Sequence, residues 1–178
     1  MMTTTRPQDS QNNDSMTAQQ RLMKISQDIA ALSEQVNIIA VSKTFSPEAI
    51  APVLAVGHRV FGENRVQEAA EKWPNLKASY PDVELHLIGA LQSNKAAQAV
   101  ALFDVIHSLD RIKLAHVLAA EMKRQNRQLK ILVQVNTGKE DQKSGIPPEE
   151  TEEFVITCRS ELGLNIVGLM CLPPQQDV

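Results

Sequence analysis

Aromatic side chains are scarce in this chain: one Trp, one Tyr and four Phe in 178 residues. So few flat rings cannot supply the platforms on which unpaired bases stack. There is no basic excess either, since 18 Lys and Arg against 21 Asp and Glu leave a formal net charge of −3 and no footprint for a phosphate backbone. Nucleic acid is not an expected partner. Two cysteines, Cys158 and Cys171, cannot build a secreted-type disulfide framework, and a reducing cytoplasm fits them. No C-x-x-C is present, and the four histidines (His58, His86, His107, His116) show neither H-E-x-x-H spacing nor a shared helical face. Metal ligation is therefore not expected. The chain has no apolar run of the length a membrane helix or signal peptide needs, so no membrane association is expected.

Aliphatic residues carry the core instead. At this length roughly 70% of the unfolded chain's surface can be buried, enough for one compact domain without disulfides or metals. The opening MMTTTRPQDSQNNDSM is polar, and residues 1–16 read as a disordered leader. Residues 17–178 read as the folded domain. Leu22, Ile25, Ile29 and Leu32 recur at helical spacing behind Thr17, a candidate N-cap, which predicts a first helix to about Ser33.

Beyond it, six β-rich runs alternate with helical ones: 37–43, 58–64, 83–91, 104–110, 129–136 and 164–172. They are apolar on both faces and no Asn-Gly hairpin separates them, as a parallel sheet covered by helices requires. A (β/α) barrel and a doubly wound sheet both produce this pattern. Neither G-x-G-x-x-G nor G-x-x-x-x-G-K-[ST] occurs, so the nucleotide-binding open sheets lose support. The expected class is α/β, a (β/α) TIM-type barrel with about six of its eight strands present.

Polar residues fall at the C-terminal ends of the predicted strands: Lys43, Glu63 with Asn64, Asp110, and Asn136. That edge is where barrel enzymes place their sites, and the cluster predicts one shared pocket. Lys43 closes an apolar strand, where alternation puts it on the face of Ile39 and Val41, away from Ile38, Ala40 and Ser42. Facing a low-dielectric interior, its amine would be more available to attack a carbonyl and form a Schiff base. A lysine at a strand end can equally extend its head into solvent. Asn64 offers an amide donor and acceptor to a ligand beside Gly62, or caps the helix RVQEAAEKW. Ser93, with Asn94 and Lys95 behind it, is a candidate N-cap able to hold an anion. The loop NTGKEDQKSG (136–145), carrying Lys139, Glu140, Asp141 and Lys143, reads as a solvated charged loop.

Taken in order, AVSKTFSPEAI, FGENRVQE, HLIGALQSNK, HSLDRIKLA, QVNTGKEDQKSGI and GLMCLPP resemble the blocks of the pyridoxal phosphate homeostasis protein family, from about Asn37 to Pro174. The resemblance implies an alanine racemase N-terminal-like barrel with pyridoxal 5'-phosphate (PLP) carried as a Schiff base on the lysine of the VSK block, Lys43. It places Asn64 beside the cofactor, Met170 on the pocket wall, and Lys143 near the site mouth. Ala90 and Arg65 depart from the residues usual in their blocks. Relatives continue for roughly fifty residues through blocks that close the barrel and bind the cofactor phosphate, so this chain reads as truncated at the C-terminus.

The function implied is to hold and hand over PLP inside the cell without turning over a substrate. PLP-dependent apo-enzymes are the implied recipients, and a monomer is expected. The alternatives are a PLP-dependent amino-acid racemase or a Schiff-base aldolase on the same barrel. A racemase needs a second base across the cofactor. A barrel acting only as a protein-interaction module has no specific support.

Overall fold

The computed structural model describes residues 16–33, 35–138 and 144–172. The loop residues Lys139, Glu140, Asp141 and Lys143 lie outside that set, as does the leader except Met16. The chain divides into two compact units, one of Met1–Ile38 and Ser46–His58, the other of Ile39–Phe45 and Arg59–Val178.

The first unit contains α1 (Ala18–Ala30) and α2 (Pro47–Ala55). Thr17 caps α1 as expected, accepting a hydrogen bond from the Gln20 amide while Gln20 reaches back to the Thr17 amide. The helix stops at Ala30, three residues before the expected end. Helix α2 starts on Pro47, whose missing N–H costs nothing in a first turn.

The second unit is built on β1 (Ala40–Val41), β2 (Val60–Glu63), β3 (Glu84–Leu87), β4 (Val105–Leu109), β5 (Lys130–Val135) and β6 (Ile166–Cys171). Between them run α3 (Val66–Ser79), α4 (Ala96–Leu102), α5 (Ile112–Arg124) and α6 (Thr151–Ser160). All six expected strands are present, each shorter than its apolar run. Every neighbouring pair is parallel, and the order is β1-β2-β3-β4-β5-β6. A doubly wound sheet reverses its strand order at a switch point, whereas a barrel adds strands in sequence. The order here is the barrel's.

Alternation sorts the two faces. Phe61, Leu85, Leu87, Ile106, Ile131 and Val133 are fully buried on the helix-covered face, as are Ala69, Trp73, Val100, Leu114 and Leu118 from the helices. The opposite face is partly polar at the N-terminal ends of the strands. There Glu84 Oε1 lies 2.8 Å from His86 Nε2, and His86 Nδ1 lies 2.7 Å from His107 Nε2. Lys130 Nζ lies 2.7 Å from Glu84 Oε2. With both rings neutral and His86 donating through Nε2 to the carboxylate, its Nδ1 accepts from His107; protonating both rings would set two N–H groups against each other. Burial pushes both histidines down, His107 to about 4.

That pair predicts an acid limb to the stability curve. Ordinary histidines take up protons near pH 6.5, which the folded pair resists, so its contribution is intact above that pH and is lost as pH falls toward about 4. Because His107 is only partly buried, although His86 is buried, solvent screening reduces the effect to ~1–2 kcal/mol. Denaturant unfolding near neutrality and at about pH 4.5 should show a smaller acid-induced loss for His107→Gln, which retains a donor for His86, than for the unmodified protein. Equal losses would contradict this account.

Candidate functional site

At the C-terminal edge of the sheet, the register pairs Val41 with Gly62, so Lys43 leaves β1 beside the strand end that carries Asn64. A cavity of about 290 Å³ opens there, lined by Asn64, Ile88, Gly89, Gln134, Asn136 and Met170 among others. Its floor depends on a close backbone approach. A Cβ at Gly89 would overlap the Asn64 carbonyl oxygen and lie 2.8 Å from the Asn64 Cα. On another side Gln134 Nε2 donates to the Ser144 carbonyl (3.0 Å), and the Ile146 amide donates to the Gln134 carbonyl (2.8 Å), folding that segment back over β5. Among the described residues, the cavity lining contains amides, the Ser144 hydroxyl and apolar groups and no side chain that titrates near neutral pH.

A second cluster lies behind the sheet. Glu63 is fully buried, and its Oε1 accepts from Ser42 Oγ (2.5 Å) and Trp73 Nε1 (3.0 Å). Lys72 Nζ, from α3, is 3.0 Å from the same oxygen and 2.8 Å from Glu68 Oε1. The lysine also donates to the Ser42 carbonyl at 2.8 Å and the Phe45 carbonyl at 3.1 Å. Its ammonium holds the Glu68 carboxyl below the ordinary range.

The sequence placed several residues in one pocket that the fold separates. Asn64, Asn136 and Met170 do line the cavity. Glu63 does not, because alternation turns it to the face that packs against Trp73. Asp110 is engaged by the adjacent Arg111, which also donates to the Leu91 carbonyl (2.9 Å) and Ser93 Oγ (3.3 Å). Ser93 is not an N-cap: Ser93–Lys95 is a single 3₁₀ turn preceded by Gln92. Arg65, not Asn64, precedes α3, and no side chain caps that helix.

Lys43 departs from the expectation in its surroundings. It is exposed, as is Val41 on the same face, while Ser42 is buried, so the alternation holds but the expected low-dielectric crowding does not. Strand β1 is an edge of the sheet, and among the described residues it has one neighbouring strand and none on its other side to cover the lysine. Lys143 lies outside the described residues. Gln134, Ser144 and Gly89 join the site without having been expected from the sequence. Only the position of Gln134, one period of alternation before Asn136 on β5, could have pointed to it. Among the described residues no group of three or more His, Cys, Asp or Glu side chains could hold a metal ion, and no helix is long and apolar enough to cross a membrane.

Residues 19–178 match the family model described as alanine racemase, N-terminal domain. The chain is 37% identical over 165 residues to the pyridoxal phosphate homeostasis protein of Vibrio alginolyticus, covering 92% of this chain and 70% of that protein. With its Aquifex aeolicus counterpart it shares 34% identity over 166 residues, 89% of this chain and 72% of the relative. Among solved structures, PipY of Synechococcus elongatus with PLP bound superposes with a TM-score of 0.76 at 36% identity, over 86% of this chain and 71% of PipY. An alanine racemase of Clostridium difficile, 13% identical, superposes at 0.67 over 84% of this chain and 39% of the racemase, a likeness of fold alone.

Proposed function

Because the chain belongs to the pyridoxal phosphate homeostasis protein family, we propose that it holds PLP through Lys43 as a reversible store and releases it intact. The observation that carries this reading is that Lys43, though not itself among the lining residues, leaves β1 beside the strand end of Asn64, which lines a cavity whose described lining has no group that titrates near neutrality. The residues fit the cofactor. Ile88 and Met170 supply apolar walls for a pyridine ring, and Asn64, Gln134 and Asn136 supply amides able to bond its polar rim. When bound, the cofactor supplies an aldehyde that a lysine amine can attack.

What the chain's own residues do is hold and orient. The Asn64 backbone approaches Gly89 with no room for a Cβ between them, and Gln134 is held by its bond to Ser144. Exposure leaves Lys43 reachable by an incoming amine, which suits release better than commitment to a reaction. Turnover in the manner of a racemase needs an acid or base opposite the lysine, and the described lining offers none. Cys171 lies one position from Met170 along β6, on the alternate face. Residues 17–178 act in this reading as one cofactor-binding domain, a monomer in the cytoplasm that supplies PLP-dependent apo-enzymes. Residues 1–16 act as a leader outside it.

Borohydride reduction of the protein after incubation with PLP, followed by peptide mapping, should place the pyridoxyl group on Lys43. An adduct mainly on Lys95, Lys139 or Lys143 would sink the assignment. Deuterium exchange at the alpha carbon of L- and D-alanine should be negligible; rapid, saturable exchange with inversion would favour the racemase reading.

A further inference from the structure

We infer that Lys72 and Glu68 of α3, anchored on buried Glu63, form a clamp whose role is to hold the Lys43 amine in the direction that captures the cofactor. This rests on the assignment of Lys43 as the attachment point. The backbone on both sides of Lys43 is fastened to one helix. Lys72 Nζ donates to the carbonyls of Ser42 (2.8 Å) and Phe45 (3.1 Å), and the Thr44 amide donates to Glu68 Oε1 (2.5 Å). Ser42 is tied a second time, through Oγ to Glu63 (2.5 Å). Four acceptors surround one ammonium with three protons, so Lys72 is held from several directions at once.

The turn needs such a clamp. Thr44, directly after Lys43, has φ +66°, a left-handed conformation that a β-branched residue rarely adopts and that persists only when its surroundings impose it. Lys43 itself is exposed, so a buried environment does not enclose its side chain. Its Cα–Cβ direction is therefore set by the backbone, and the backbone is set by the clamp. Glu63, Glu68 and Lys72 act through Lys43 and do not touch the cavity, so they are positioning residues.

Removing Lys72 would strand the buried Glu63 carboxylate and threaten the fold, so Glu68, which is partly exposed, is the residue to vary. Glu68→Ala removes the acceptor for Thr44, whereas Glu68→Gln keeps an oxygen in that place. The probe is PLP, and the readout is the rate of pyridoxyl labelling at Lys43 relative to the other lysines, trapped with borohydride and mapped by mass spectrometry. Glu68→Ala should slow labelling at Lys43 by about ten- to hundredfold without slowing it elsewhere. Glu68→Gln should stay within about threefold of the unmodified protein, since the acceptor is retained. Adding Thr44→Gly to Glu68→Ala should restore much of the loss, because glycine takes a positive φ without the clamp; a merely structural defect would gain nothing from it.

Wild-type rates at Lys43 in folded Glu68→Ala would overturn the clamp and leave the assignment of Lys43 intact. Equal losses in the Ala and Gln variants would overturn the acceptor role of Glu68. Failure of the unmodified protein to label at Lys43 would overturn the proposed function and the clamp together.

Discussion

Gly89→Ala is expected to collapse the proposed cofactor site, lowering PLP affinity by about tenfold or more and destabilising the fold by ~1–3 kcal/mol. The cause is steric and local. The new methyl would overlap the Asn64 carbonyl oxygen and sit 2.8 Å from its Cα and 2.9 Å from its carbonyl carbon. All three are backbone atoms, so no rotamer change relieves the overlap, and the β2 end must move away from the β3 end. Asn64 moves with it. A control separates this from the general cost of replacing a glycine: Gly163 has φ +64°, and a methyl added there would meet nothing within 4 Å. Gly163→Ala should lose ~1 kcal/mol to backbone strain with PLP affinity unchanged. Equilibrium titration with PLP and denaturant unfolding of both variants give the comparison, and equal affinities for the two would remove Gly89 from the site.

Trp73→Ala should be the most destabilising single truncation, costing ~3–5 kcal/mol for the lost volume alone. The indole is fully buried, its ring centroid lies 5.1 Å from that of Phe61, and its Nε1 donates to Glu63 Oε1 at 3.0 Å. Deleting it opens a cavity beneath β2 and removes a donor from a buried carboxylate whose other oxygen, Oε2, has no hydrogen-bond partner among the described residues. Against a typical domain stability of about 5–15 kcal/mol, that loss leaves little margin. Trp73→Phe keeps much of the volume and gives up the donor, the loss of the donor alone costing ~1–3 kcal/mol. Unfolding must be followed by far-ultraviolet circular dichroism, because Trp73 is the single tryptophan in the chain. A Trp73→Ala variant that melts with the unmodified protein would show that the Phe61–Trp73–Glu63 packing carries no weight.

Much of the architecture could be read from local patterns. Six apolar runs separated by helical periodicity are six parallel strands, and Thr17 with Gln20 forms the cap that its residue types allow. Alternation along 39–43 correctly separated Ser42 from Lys43, one buried and the other exposed. Each of these depends on residues within a few positions of one another, and the backbone's own period of two or 3.6 fixes their relation before any tertiary contact forms.

The remainder depended on partners distant in sequence. Glu63 stood beside Asn64 as another polar residue at a strand end, yet one step of alternation sends it into the core, where a tryptophan and a lysine from α3 receive it. Lys72 reads as an ordinary charged residue on a helix; its burial follows from the positions of Glu63 and the Ser42–Phe45 turn, up to 30 residues away. His86 and His107 meet across β3 and β4 from 21 residues apart. The exposure of Lys43 follows from β1 having one neighbour among the described strands. Strand and helix types, their order and the face on which each residue lies are legible in the chain alone, because these are periodic properties of a short stretch of backbone. Which charges are buried together, which glycine lets two strand ends touch, and what holds the turn around Lys43 emerge with the folded chain, because those depend on register between segments that no local period specifies.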